Sequence, residues 1–152
     1  MKHFTVPAVV AIAGLCLGGA ATAQGYKFSP ASTAFSASGQ SFLTKGNTQF
    51  VCNTTVKMRT NTKGRLKITS VTFNGGSCPQ ANGLPWRVAS PNFNSAFIKN
   101  VSLSTPFGAC TAATFPIFLT SGTMLWSLSF ADCGASIVAS LPTSPTLTLV
   151  PK

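Results

Sequence analysis

Apolar and polar residues alternate in short runs along most of this 152-residue chain. The clearest case lies between Phe115 and Thr120 and between Thr123 and Phe130, on either side of Ser121-Gly122. A two-residue turn there sets Leu119 opposite Met124, Ile117 opposite Trp126 and Phe115 opposite Leu128, all on one face. The other face carries a Phe118–Leu125 pair, either exposed or covered by a second layer. Pro116 cannot donate to a ladder and points to an edge or bulged position.

A second hairpin is read from Thr48–Asn61 and Arg65–Phe73, with Thr62-Lys63-Gly64 as a three-residue loop and Gly64 at the left-handed position. Met58 then faces Ile68, and Phe50, Cys52, Thr54 and Val56 continue that face. The apolar phase shifts between Ile68 and Val71, which predicts a bulge near Thr69 or Ser70. The serine-rich opening stretch, Ser29 to Gly46, has the composition of a strand region. Residues 33–38 and 41–45 read as strand segments separated by a kink or bulge at Gly39. No segment reads as an amphipathic helix of useful length. Short strands at regular spacing between Gly, Pro, Asn and Ser clusters predict an all-β fold, a single antiparallel β-sandwich of Greek-key or jelly-roll type.

The N-terminus changes the picture of where this fold works. Lys2 and His3 precede an apolar run, Val6–Gly19, and Ala21-Thr22-Ala23 forms an A-x-A cleavage site. Residues 1–23 are expected to be a signal peptide and residues 24–152 a secreted domain. The run is too short to cross a bilayer, and Leu15 before Cys16 does not suit a lipoprotein signal. The expected location is extracellular or at the cell surface, with the periplasm as the alternative. Cys52, Cys78, Cys110 and Cys133 then read as two disulfides with three connectivities. Cys52–Cys78 and Cys110–Cys133 are preferred, because each pair brackets one hairpin. Without a C-x-x-C pair or a histidine after residue 23, no metal site and no cofactor are expected.

Charge narrows the chemistry further. Residues 24–152 hold ten Lys or Arg and a single acid, Asp132, with seventeen serines and seventeen threonines. No Ser-His or Cys-His nucleophile and no carboxylate pair can be assembled from this set, so no catalytic residue is assigned and an enzyme is not expected. Lys57, Arg59, Lys63, Arg65 and Lys67 concentrate half of those cations in one hairpin. Its register puts Arg59 opposite Lys67, and like charges facing each other are unfavourable. An external polyanion would relieve them: lipopolysaccharide phosphate, acidic polysaccharide or extracellular DNA. The plainer reading is that outward cations keep a strand edge soluble and unpaired. Trp126 falls on a core face. Trp86, after Gly83-Leu84-Pro85, is either a surface ring for a sugar or lipid or a plug for one end of the fold. Asp132, beside Cys133 and Gly134, reads as a turn former.

Several short motifs, taken in order, carry a family resemblance: F-S-P-A-S-T-A-F-S-A-S-G from Phe28, L-T-K-G from Leu43, Cys52, I-T-S-V-T-F-N-G from Ile68, Cys78 and G-L-P-W from Gly83. They resemble the small secreted bacterial proteins called protein activators of alkane oxidation (PraB-like). The resemblance implies an exported protein linked to growth on hydrocarbons and to surface or biofilm material, with no catalytic residue to carry over. The chain is more basic than the near-neutral, hydroxyl-rich pattern of that family. The expected function is a non-enzymatic secreted or surface protein, acting in surface or matrix association or in hydrocarbon uptake, with self-association as one mode. The alternatives are a polyanion- or carbohydrate-binding module and a structural subunit of a surface fibre.

Overall fold

The computed structural model describes residues 25–89 and 91–152, and the expected signal peptide lies outside the described residues. Eleven strands follow one another: β1 (Tyr26–Ser29), β2 (Ala34–Lys45), β3 (Thr48–Thr60), β4 (Leu66–Asn74), β5 (Gln80–Asn82), β6 (Trp86–Ala89), β7 (Ser95–Thr105), β8 (Gly108–Thr120), β9 (Thr123–Ser129), β10 (Ser136–Ser144) and β11 (Thr148–Pro151). Every pairing is antiparallel.

The expected sandwich is corrected to a closed barrel. Strands β2, β3, β4, β6, β7, β8, β9 and β10 each pair with the next, and β10 returns to pair with β2. The connectivity is therefore up-and-down, without the Greek-key or jelly-roll crossing that was expected. β5 and β6 lie end to end along the same side of β7, β5 against Ser102–Ser104 and β6 against Phe97–Ile98. β1 and β11 form a separate two-stranded ribbon. It is tied to the β3–β4 turn by the Phe28 N–H, which donates to the Gly64 carbonyl at 2.9 Å.

An eight-stranded barrel has an interior just wide enough for side chains to fill. Here alternate residues of every barrel strand point inward, among them Phe35, Val56, Met58, Ile68, Ile98, Phe115, Ile117, Met124, Trp126 and Ile137. Phe115 meets Trp126 edge-on at 5.4 Å and Phe130 at 6.2 Å. The few polar groups inside are mostly paired: the Ser41 and Thr54 hydroxyls share a bond of 2.6 Å, and the Thr60 hydroxyl donates to Pro30 O at 2.7 Å.

Both hairpins keep their expected registers. Ile117 faces Trp126 and Leu119 faces Met124, with Ser121 and Gly122 both at positive φ in the turn. The ladder stops at Ile117, one residue after Pro116, so Phe115 packs on Trp126 and Phe130 and has no partner in β9. Pro116 is opposite Phe97 in a strand that has neighbours on both sides, so it is not on a sheet edge. In the other hairpin Met58 faces Ile68 and Lys57 faces Ser70, leaving Thr69 as the extra, bulged residue. β2 is continuous through Gly39 on its β3 side. Its ladder to β10 is interrupted between Ser41–Ala139 and Ala37–Thr143.

Candidate functional site

On the outer face of β3, β4 and β6 the registers set Arg59 opposite Lys67 and Lys67 opposite Arg87. Three neighbouring strands thus carry a row of like charge. Asn61 shapes the adjoining turn: its Oδ1 accepts from Lys63 N–H at 3.0 Å and Arg65 N–H at 2.9 Å. Gly64 sits there at φ 68°, and a Cβ on it would come within 2.7 Å of the Phe28 carbonyl oxygen. This turn sets Arg65 beside the row.

A depression of about 640 Å³ is lined by Arg59, Arg65, Lys67 and Arg87. A second, of about 520 Å³, shares Arg65 and Val88 with the first and adds Lys27, Lys63 and Lys152. Of the five hairpin cations singled out in the sequence, Arg59, Arg65 and Lys67 come together and Lys63 lies in the adjoining hollow. Lys57, opposite Ser70, lines neither. The strand-edge reading does not hold for this cluster, because β3 lies between β2 and β4 and the cationic part of β4 is paired with β6. Arg87 was missed: the strand around it is only four residues long, too short to reveal a register. Lys27 and Lys152 arrive through the β1–β11 ribbon, whose pairing spans the whole domain.

Trp86 is a correction. It is 2% exposed, faces Ile68 in the barrel interior, and donates its indole N–H to Asn82 O at 2.8 Å. It is a core residue, not a surface ring. The cysteines are joined sequentially, Cys52 to Cys78 and Cys110 to Cys133.

The opposite side of the barrel has a different chemistry. β8, β9 and β10 contain no Lys, Arg, Asp, Glu, His or Tyr. On their outer face Phe118 lies opposite Leu125, and Val138 lies opposite Phe42, which in turn lies opposite Val51. These five side chains are 36–50% exposed and run diagonally across five adjacent strands. The sequence register had already shown the Phe118–Leu125 pair; among the described residues no second layer covers it. The barrel is not apolar all round, as a membrane-spanning one is: Arg59, Lys67 and Arg87 face outward, and each would cost about 2–4 kcal/mol at a bilayer midplane.

Asp132 is at neither place. Its Oδ2 accepts from Thr111 N–H at 2.8 Å and from the Thr111 hydroxyl at 2.6 Å. The Thr111 hydroxyl bond is the largest cause that holds its pKa below the usual aspartate value of 3.8; desolvation opposes it, and the backbone N–H bonds of Thr111, Asp132 and Cys133 add to the lowering. A carboxyl depressed in the folded state contributes stability above its unfolded pKa, and that contribution fades as pH falls through the folded value. Asp132 is fully exposed, and it is the only side-chain acid in the chain. Acid unfolding normally proceeds by protonating paired carboxylates. The disulfide-bonded protein is therefore expected to stay folded at pH 2, with a Tm within about 5 °C of its value at pH 6. Circular dichroism against pH checks this, and a cooperative unfolding transition above pH 3 would contradict it.

These features define a small up-and-down β-barrel with a packed interior, two disulfides, and one cationic and one uncharged wall. The chain belongs to the family described as alkane oxidation protein activator, PraA/PraB-like, which matches residues 1–151. No curated protein and no solved structure matches it.

Proposed function

We propose that this protein is an exported, non-enzymatic accessory of hydrocarbon oxidation that adsorbs to apolar surfaces through the uncharged wall. The observation that carries the reading is the diagonal of Phe42, Val51, Phe118, Leu125 and Val138, of which Phe118, Leu125 and Val138 stand on β8, β9 and β10, strands with no ionisable group. Charges near such a contact would have to be desolvated, and β8, β9 and β10 carry none. Membership of an alkane oxidation activator family supports the choice of hydrocarbon as the surface. The absence of histidine after residue 23, and the single acid, support a physical action over a chemical one. Export is supported by the signal-like N-terminus and by two disulfides, which persist in oxidising compartments.

Fully burying an apolar side chain of this size is worth about 1.5–3 kcal/mol, so a half-exposed one offers roughly 1 kcal/mol. Changing Phe118, Leu125 and Val138 together to Ser is expected to weaken adsorption to n-alkane droplets by about 100-fold while leaving the circular dichroism spectrum intact. Phe93, 70% exposed in the β6–β7 loop, is the control. Equal adsorption of the triple variant, Phe93→Ser and the unaltered protein would rule the wall out.

A further inference from the structure

The chain has three arginines, Arg59, Arg65 and Arg87, and all of them line the same depression. They come from β3, the β3–β4 turn and β6, so no local sequence pattern groups them. The seven lysines after residue 23 are spread more widely: Lys45, Lys57 and Lys99 line neither hollow. Arginine differs from lysine in presenting a planar fork of donors that matches the two oxygens of a carboxylate or phosphate. A cluster serving only solubility has no need of that fork.

No side-chain acid is at hand to neutralise the row. The only side-chain carboxylate, Asp132, is engaged by Thr111 on β8. The Arg59–Lys67–Arg87 row therefore sits in the folded barrel as directly opposed like charge, an unfavourable arrangement that a bound oxyanion would relieve. At about 640 Å³ the hollow is in the range of small-ligand sites, and the exposed Ser32 and Thr62 at its lining add groups suited to sugar hydroxyls. The second hollow, which shares Arg65 and Val88 with the first, adds Lys27, Lys63 and Lys152 beside it. A linear polymer with an anion on successive units would fill both. Single-stranded nucleic acid fits less well, because its binding relies on aromatic faces for the bases. The rings here are Tyr26, half-buried, and Phe28, buried.

We propose that the depression formed by Arg59, Arg65, Lys67 and Arg87 is a binding site for the carboxylate or phosphate groups of an acidic glycan. The site shares no residue with the apolar diagonal, although β3 carries both Arg59 and Val51, so either can fail alone. The test uses the mature, disulfide-bonded protein with three probes: alginate as a polyuronate, a delipidated phosphorylated lipopolysaccharide core, and a single-stranded oligonucleotide. Binding of alginate identifies carboxylate as the ligand group, and binding of the phosphorylated core identifies phosphate. Changing Arg59, Arg65 and Arg87 together to Gln is expected to weaken the preferred glycan about 100-fold, because bonds to charged groups are the strong ones. Changing Lys45, Lys57 and Lys99 to Gln removes the same charge elsewhere and is expected to cost less than about 5-fold, a screened long-range effect. The three arginines changed to Lys keep the charge but lose the fork, for an expected loss of about 10-fold. Equal losses in the two Gln variants, or full binding by the Lys variant, would overturn the site. So would tighter binding of the oligonucleotide than of either glycan, or no glycan binding at all.

Discussion

Replacing Gly39 by alanine is expected to destabilise the protein by about 3 kcal/mol, although it adds a single methyl group. Gly39 stands in the middle of β2, where a Gly→Ala change ordinarily gains about 0.5–1 kcal/mol through reduced backbone entropy. Its backbone is outside the left-handed region, so conformation is no obstacle. Space is. A Cβ here would run into the carbonyl oxygen of Ser140 and lie 3.2 Å from Leu141 Cδ2. Ser140 is backbone of β10, and β10 cannot retreat without opening the β2–β10 pair that closes the barrel. That ladder is already interrupted at this level, next to Pro142, which has no N–H to give. Gly76→Ala is the matched control, since nothing lies within 4 Å of its Cβ position. Denaturant midpoints for the two variants decide the matter. If Gly39→Ala is as stable as Gly76→Ala, the close approach does not constrain the barrel.

Loss of both disulfides is expected to have the largest effect of all, about 6 kcal/mol, divided equally between them. The bridges close loops with sequence separations of 26 and 23, each worth about 3 kcal/mol in the chain-entropy account. Domains of this size have about 5–15 kcal/mol in total, so the doubly reduced form sits near the edge of stability. Each bridge also has a local role. Cys52–Cys78 pins the segment after β4 against β3, so that β5 can reach β7. Cys110–Cys133 holds the β9–β10 turn on β8, where Asp132 meets Thr111. Either paired Cys→Ala variant should fold with a denaturant midpoint lowered to match about 3 kcal/mol. The quadruple variant should be largely unfolded at 37 °C. A quadruple variant with an unshifted midpoint would show that the barrel core suffices alone.

Much of the barrel is legible in local sequence. The alternation around Met124 and Trp126 and the Ser121-Gly122 pair specify one hairpin down to its register, because turn type and side-chain period act over a few residues. The same holds for the Thr69 bulge, where the apolar phase slips by one residue. Trp86 was less legible. Its four-residue strand offers one alternation, and its inward direction follows only from pairing with Ile68. Arg87 shares that difficulty and inherits the opposite, outward direction.

The amino-acid sequence by itself determined an all-β chain, two hairpins with their registers next to the turns, an even cysteine set whose sequential pairing it favoured, and a charge balance that leaves cations with almost no side-chain acid. All of these depend on residue type and short-range period. Closure was decided by the tertiary structure alone, since a sandwich and a barrel share the same alternating strands. They differ in whether β10 finds β2, a pairing of Ser136 with Thr44 and Ser144 with Ser36 across most of the chain. Once that ladder forms, the outer faces of β8, β9, β10 and β2 become one continuous wall. Phe42 and Val138 then join the Phe118–Leu125 pair. The three arginines meet through the β3–β4 and β4–β6 registers instead. Both walls depend on registers between strands far apart in sequence, which no window of a few residues contains.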